Sequence, residues 1–203
     1  LHLAHISTAG SVRMVREAKA RGLKVTAEAC PHHFTLTEEL TRGYNTHAKM
    51  NPPLRTMQDV QAIKEGLRDG TIDVIATDHA PHATQEKQQE FTEAPFGIVG
   101  LETALSLTLA LVDEGVLTLE SAVDKLATAP AKAFSLNAGT LAVGAPADVA
   151  IVDPNREWQV DPSRFRSKSR NTPFAGWKVK GRVTTTIVSG RVVFELDRSE
   201  RQA

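Results

Sequence analysis

Five histidines and one aspartate stand directly after apolar segments of this sequence: His5, His32, His33, Asp78, His79 and His82. Imidazole and carboxylate groups are ligands that zinc and similar divalent ions prefer. Such an ion lowers the pKa of bound water to about 7. A neighbouring carboxylate can then take the proton and pass it to a leaving group. The residues therefore indicate a metal-assisted hydrolysis, or its reverse, at a polarised carbonyl.

The elements that must position these side chains alternate between strand and helix. Strands are predicted at residues 1–6, 23–30 and 71–78, and amphipathic helices at 7–22 and 56–70. The strands are apolar on both faces, which is typical of a parallel sheet covered by helices. Because the carboxyl ends of parallel strands meet at one edge of such a sheet, we expect the six residues to lie together.

The second half of the sequence changes in character. Two further helices are predicted at 100–115 and 118–135, and residues 139–195 then read as strands and turns. Within them, "VSGRVV" predicts a tight hairpin in which Gly190 takes a positive φ. We therefore predict an α/β domain over residues 1–136 and a small β module over 137–203.

Composition excludes several classes of function. Lys plus Arg and Asp plus Glu both number 24, so the formal net charge is zero and nothing favours nucleic acid or a membrane surface as partner. No apolar run approaches the roughly 18 residues that span a bilayer. The single cysteine, Cys30, cannot form an internal disulfide, which fits a reducing, cytoplasmic compartment.

Six segments, in their order and spacing, resemble the bacterial zinc-type dihydroorotase family of the amidohydrolase superfamily: "HIST", "AEACPHHFTLT", "KMNPPLR", "IATDHAPH", "EAPFGIVGLET" and "NTPFAGWKVKG". The resemblance implies the sixth to eighth strands of a TIM-like (β/α)₈ barrel, followed by part of a small β-sandwich. It also implies the reversible cyclisation of N-carbamoyl-L-aspartate to (S)-dihydroorotate in pyrimidine biosynthesis.

The resemblance assigns roles around a zinc site of one or two ions. His5 would be a zinc ligand, and Asp78 would be both a ligand and the acid/base that carries the proton to and from the ring nitrogen. We expect His32, His33 and His79 to support these ligands, since metal ligands need partners that orient them. The remaining ligands of the family, including its His-x-His pair, would lie upstream of Leu1.

The resemblance also assigns the substrate-binding residues. Asn51 and His82 would hold the substrate, with His82 near its carboxylate, and the backbone at Phe96 and Gly97 would contact the pyrimidine ring. The polar stretch 83–94 would form a loop over the mouth of the site.

The resemblance leaves three readings of the function open. The first is an active dihydroorotase, of which this chain is a C-terminal portion that is inactive alone. The second is another cyclic amidase, such as a hydantoinase or allantoinase. The third is a non-catalytic dihydroorotase-like subunit that scaffolds aspartate transcarbamoylase, although the presence of His5 and Asp78 favours activity. A homodimer is expected by analogy with the family.

Overall fold

The computed structural model describes residues 1–196, which contain two separate three-stranded sheets. The first sheet consists of β1 (His2–Leu3), β2 (Thr26–Ala29) and β3 (Val74–Ile75) in that order. Both of its strand pairs are parallel, as the alternation of strands and helices predicts. The regular part of β3 is shorter than the predicted strand at 71–78.

Two amphipathic helices cross between these strands, close to their predicted positions. Helix α1 spans Ala9–Ala20 and α3 spans Met57–Arg68. The Thr56 side chain and Asp59 form a reciprocal capping box at the start of α3. Asp59 also accepts a hydrogen bond from the Ala9 N–H at 2.8 Å. One carboxylate therefore fixes the starts of both helices relative to each other.

The core begins between these two helices and the parallel sheet and continues into later parts of the chain. Each helix contributes its apolar stripe, and the buried residues include Val12, Val15, Ile63 and Leu67. The central strand β2 is covered on both faces, with Ala27 and Ala29 fully buried on one face and Glu28 only 7% exposed on the other. Burial on both faces is what the apolar strands predict for a parallel sheet.

Two short helices were not predicted from the sequence. Helix α2 (Pro31–Thr35) begins directly after β2, and its Pro31 occupies the first turn, where no backbone N–H is needed. It places His32 and His33 on a helix directly after the end of the strand. Helix α4 (Thr84–Lys87) lies within the stretch predicted as a polar loop.

The two helices after the parallel sheet differ in regularity. Helix α5 spans Leu101–Asp113, as predicted. The predicted helix at 118–135 consists of α6 (Leu119–Val123), a π-helical turn (Asp124–Thr128) and α7 (Ala129–Ala133). Pro130 has no N–H for the α-helical hydrogen-bond ladder, which favours a local change of winding.

The second sheet is antiparallel and consists of β4 (Val149–Gln159), β5 (Lys178–Val188) and β6 (Arg191–Glu195). The predicted hairpin joins β5 to β6, and both turn residues, Ser189 and Gly190, have positive φ. Such a turn matches the twist of the flanking strands. The first strand of this sheet begins at 149, whereas the sequence predicts strand and turn from 139.

Helix α5 packs against the second sheet. The Ser106 hydroxyl donates to the Gly181 carbonyl at 2.7 Å, and the Trp158 indole N–H donates to the same carbonyl at 3.0 Å. The antiparallel sheet is therefore attached to the parallel part through specific buried contacts. Within residues 1–196, no helix combines the length and apolar character that crossing a bilayer requires.

Candidate active site

His5 and Asp78 lie together at the carboxyl edge of the parallel sheet. His5 Nε2 is 3.7 Å from Asp78 Oδ1, and both side chains are about one-third exposed. Both residues have left-handed backbones, with φ of 56° and 46°. That conformation costs a non-glycine residue about 1–2 kcal/mol. Backbone strain of this kind concentrates at functional sites.

Glu28, on β2, bridges two histidines. One of its oxygens is 2.9 Å from His5 Nδ1 and the other is 2.9 Å from His2 Nε2. Glu28 is only 7% exposed, so this carboxylate is held inside the protein. Sequence reasoning assigned no role to Glu28 or His2. The available signal was a carboxylate within an otherwise apolar strand, which needs a partner when it is buried.

A second group of metal-ligating side chains lies beside this pair. Cys30, His32 and His33 are all buried, and one ligand atom from each lies within 4.8 Å of the others. Cys30 Sγ is also 3.5 Å from His5 Nδ1. His32 Nε2 and His33 Nδ1 are buried without a hydrogen-bond partner among the described residues. The charge of His5 acts on the pKa of both His32 and His33, and the charge of Asp78 acts on that of His33.

Burial determines the protonation of this second group. It lowers the pKa of His32 well below 6.5, helped by the neighbouring His33 and His5. Burial also lowers the pKa of His33, whose Nε2 lies 2.9 Å from the Pro52 carbonyl. Burial and the charges of Asp78 and Glu28 raise the pKa of the Cys30 thiol. Near neutral pH the imidazoles are therefore uncharged and available as ligands or hydrogen-bond partners.

The His79 side chain contacts the start of α5. Its Nδ1 accepts hydrogen bonds from the backbone N–H groups of Gly100 and Leu101, at 3.1 and 3.4 Å. These are N–H groups that the first turn of a helix leaves without an internal partner. In this arrangement His79 connects the end of the third strand to α5.

The predicted substrate-binding residues His82, Phe96 and Gly97 form one cluster. His82 Nε2 donates to the Phe96 carbonyl at 2.8 Å. Gly97 has a φ of 97°, and an added Cβ would lie 2.5 Å from the Ala80 Cβ. The Gly97 N–H donates to the Lys49 carbonyl at 2.8 Å. The backbone expected to meet the substrate ring is therefore tightly fixed.

Asn171 holds this cluster together, although sequence reasoning gave it no role. Its amide donates to the carbonyls of Ala80 and Gly97 at 2.8 and 3.2 Å, and its oxygen accepts from the His82 N–H at 3.2 Å. Asn171 is 2% exposed. Asn171 is the first residue of the segment "NTPFAGWKVKG", which is one of the six that carry the family resemblance. Its contacts with residues far earlier in the chain could not be predicted from the sequence.

Two buried lysines fix the polar stretch between His82 and Phe96. Lys49 Nζ donates to the carbonyls of Thr92 and Ala94, at 2.9 and 2.6 Å. Lys87 Nζ donates to the carbonyls of Pro95 and Gly97, at 2.8 and 3.2 Å. Burial, followed by the nearby Lys49 charge, lowers the pKa of Lys87 to about 8. Sequence reasoning treated this stretch as a loop and did not predict its ammonium anchors.

Asn51 is the predicted site residue with the fewest contacts. It is exposed, and its side chain makes no hydrogen bond within residues 1–196. Its neighbours in sequence contact the other site residues. The Lys49 carbonyl accepts from the Gly97 N–H, and the Pro52 carbonyl accepts from His33 Nε2. The structure therefore places Asn51 at the rim of the cluster, with its amide bonded to no group of the described residues.

The arrangement as a whole has the parts of a metal-dependent acid–base site. An imidazole and a carboxylate face each other, and the site is flanked by neutral imidazoles and bordered by a loop with a fixed backbone. Two ligand atoms bound to one tetrahedral zinc lie about 3.3 Å apart. The 3.7 Å between His5 Nε2 and Asp78 Oδ1 is close to that separation, so this donor pair fits one zinc ion.

Comparison with known proteins gives consistent matches over nearly the whole chain. The profile of the amidohydrolase family matches residues 1–193. The chain is 61% identical to a dihydroorotase from Syntrophotalea carbinolica, covering 97% of this chain and 46% of that protein. It is 59% identical to a dihydroorotase from Geobacter metallireducens, with 96% and 46% coverage. The chain thus spans about half the length of the curated relatives it matches.

Solved structures of related enzymes share the fold. A dihydropyrimidinase from Brevibacillus agri superposes with a TM-score of 0.90 at 27% identity, covering 96% of this chain and 44% of that one. An L-hydantoinase (dihydropyrimidinase) from Arthrobacter aurescens superposes with a TM-score of 0.90 at 33% identity, with 96% and 45% coverage.

Proposed function

The chain belongs to the amidohydrolase family, and from that premise we propose that it is the C-terminal part of a dihydroorotase. The proposed reaction is the reversible cyclisation of N-carbamoyl-L-aspartate to (S)-dihydroorotate. The observation that carries this proposal is the His5–Asp78 pair, in which two strand ends bring an imidazole and a carboxylate within 3.7 Å. The 61% identity to a dihydroorotase supports this substrate over other cyclic amides.

We propose that β1, β2 and β3 are the sixth to eighth strands of a (β/α)₈ barrel. Their parallel order supports this assignment, as do the helices that cross between them. The antiparallel sheet β4–β5–β6 would be one layer of the small β-sandwich. On this proposal the division between the two modules falls at residues 136 and 137, after α7.

We propose that His5 and Asp78 bind zinc, one ion or two, together with ligands from the remainder of the protein. When bound, zinc supplies a nucleophile at neutral pH by lowering the pKa of water, and it polarises the carbonyl under attack. On this proposal the Asp78 carboxylate would accept a proton and return it to the ring nitrogen, which is the acid–base role of such a group.

The chain's other residues would bind and orient the substrate. His82 is held through its backbone N–H by Asn171 and through its ring Nε2 by the Phe96 carbonyl, and this fixed orientation supports its proposed role in binding the substrate. Asn51 is exposed with unused amide donors, which suits a group that pairs with substrate carboxylate or amide. The backbone of Phe96 and Gly97 would lie along the pyrimidine ring.

A second candidate function is a hydantoinase-type cyclic amidase, which the folds of the dihydropyrimidinase and hydantoinase structures favour. The two functions are separated by measuring kcat/KM for dihydroorotate and for hydantoin with the full-length protein that contains this chain. A preference for dihydroorotate supports the first proposal, and a preference for hydantoin contradicts it.

The decisive experiment uses three forms of that full-length protein: the parent, Asp78→Ala and His5→Ala. We expect the parent to lose activity on chelation and to recover it with zinc. We expect Asp78→Ala to be inactive under all conditions.

A parent protein with no turnover that still binds aspartate transcarbamoylase would favour the non-catalytic subunit. Homodimer formation and a cytoplasmic location belong to the same proposal, and size-exclusion chromatography tests the former.

A further inference from the structure

We propose that Glu28 is a positioning residue that fixes the tautomer and orientation of His5, so that His5 Nε2 is the atom available to the metal. This inference rests on the proposed zinc site but goes beyond it, since the family resemblance assigns Glu28 no role as a metal ligand or as a substrate-binding residue. Three features of the site carry it: the contacts of both carboxylate oxygens, the direction of the protons, and the weakness of the other partner of His5 Nδ1.

The contacts of Glu28 use both of its oxygens. Oε1 lies 2.9 Å from His5 Nδ1, and Oε2 lies 2.9 Å from His2 Nε2. His2 Nδ1 in turn lies 2.8 Å from the Thr26 hydroxyl. The carboxylate is therefore held at both ends and cannot rotate without breaking one of these contacts.

The direction of the protons follows from the acceptor. An ionised carboxylate can only accept, so both histidine nitrogens that face Glu28 carry hydrogen. His2 then presents an unprotonated Nδ1, which matches the Thr26 hydroxyl as donor. His5, by the same reasoning, presents an unprotonated Nε2, and this atom faces Asp78 at 3.7 Å. The hydrogen bonds that run from Thr26 through His2 and Glu28 to His5 therefore agree with a single assignment of protons.

The orientation matters because His5 has little else to hold its ring. Its backbone is left-handed, and its side chain is about one-third exposed. The other neighbour of its Nδ1 is the Cys30 sulfur at 3.5 Å, which is a weak hydrogen-bond partner. Without Glu28, the imidazole could place the proton on Nε2 and lose its capacity as a ligand there.

A purely structural role for Glu28 predicts something different. In that case its loss would lower stability without a selective effect on metal binding. Asp73 offers a matched control, because it also anchors β2 with a partly buried carboxylate. Asp73 accepts from the Ala27 N–H at 2.8 Å and from Lys19 Nζ at 2.7 Å, and it has no contact with His5.

The experiment measures metal affinity in the full-length protein and in its Glu28→Ala, Glu28→Gln and Asp73→Asn variants. Competition with a chromophoric chelator gives the affinity for Zn²⁺ and Co²⁺, and the Co²⁺ absorption spectrum reports the ligand geometry. We expect Glu28→Ala to weaken metal binding about 10- to 100-fold, the usual effect of removing a group that orients a metal ligand. Melting of the metal-free protein is recorded for each variant.

Glu28→Gln should recover part of the affinity. Its carbonyl can still accept from His5 Nδ1, while its amide can donate to His2 if His2 changes tautomer. We therefore expect a loss smaller than that of Glu28→Ala, together with a Co²⁺ spectrum close to the parent's. Asp73→Asn should lower the melting temperature while leaving the affinity and the spectrum unchanged. Glu28→Gln decides the question if Glu28→Ala fails to fold.

Three results would overturn the inference. One is an affinity of Glu28→Ala within about three-fold of the parent, and another is an equal loss in Asp73→Asn. The third is a parent protein that binds no metal through His5, judged against His5→Ala. If the parent binds Co²⁺ through His5 but does not turn over dihydroorotate, the proposed function fails. The metal affinities still decide the role of Glu28 in that case.

Discussion

Gly97→Ala tests whether substrate binding requires the observed position of the Phe96–Gly97 backbone, which is predicted to contact the pyrimidine ring. A Cβ at this position would lie 2.5 Å from the Ala80 Cβ. Carbon atoms in contact normally lie about 3.5–4.0 Å apart, so one of the two segments must move by about 1 Å or more. The φ of 97° adds strain of about 1–2 kcal/mol for an L-residue.

The expected consequences follow from these two quantities. Overpacking of this kind costs about 1–3 kcal/mol, so the total loss of stability should be about 2–5 kcal/mol. Misplacing a substrate-binding group by about 1 Å can reduce the rate about 100-fold. A 100-fold loss in kcat/KM corresponds to about 2.7 kcal/mol of transition-state stabilisation. Thermal melting and initial rates of dihydroorotate formation measure both effects in the full-length protein.

Two further variants separate the clash from the backbone strain. Gly70 has a φ of 80° and no atom within 4 Å of an added Cβ, so Gly70→Ala should cost about 1–2 kcal/mol without loss of activity. In the double variant Gly97→Ala with Ala80→Gly, the nearest remaining atom is the Ala80 Cα at 3.9 Å. Activity should largely return in that variant. Wild-type activity in Gly97→Ala alone, or no recovery in the double variant, would refute the reasoning.

Three other changes have defined outcomes. Asn171→Leu leaves the Ala80 carbonyl without its donor and the His82 N–H without its acceptor, while the Gly97 carbonyl keeps its contact with Lys87 Nζ. We expect a loss of about 1–3 kcal/mol for each of these two unpaired groups in chemical denaturation, together with a higher KM; an unchanged KM would contradict the proposed role. Burial lowers the pKa of Lys87 in the folded protein to about 8, whereas an unperturbed lysine has a pKa of 10.5. The protonated side chain therefore lowers the folding stability in full below pH 8, and this loss disappears as the pH rises from 8 towards 10.5. The melting temperature of the parent relative to Lys87→Met should therefore increase from pH 7 to pH 10, and a constant difference would count against it. Thr56→Ala removes the cap of α3 and should cost about 1 kcal/mol with unchanged kcat, as urea denaturation and initial rates can establish.

The sequence by itself determined the elements and their order. The apolar periodicity placed α1 and α3 within about two residues of their observed bounds, and the apolar strands indicated a parallel sheet. The predicted hairpin at Gly190 is present. These features depend on residues a few positions apart, since caps, turns and helical stripes are set by local backbone geometry. The family resemblance was equally local, because it rested on short motifs in a fixed order.

Tertiary structure alone decided how the site is assembled. The left-handed backbones of His5 and Asp78 have no marker in the sequence, because such strain persists only where surrounding contacts impose it. Glu28 meets His2 across 26 positions of sequence, and Asn171 meets Ala80 across 91. No periodic pattern encodes contacts over these separations. Whether a buried carboxylate or amide is an isolated polar group or a link between functional residues is therefore settled only when the chain folds.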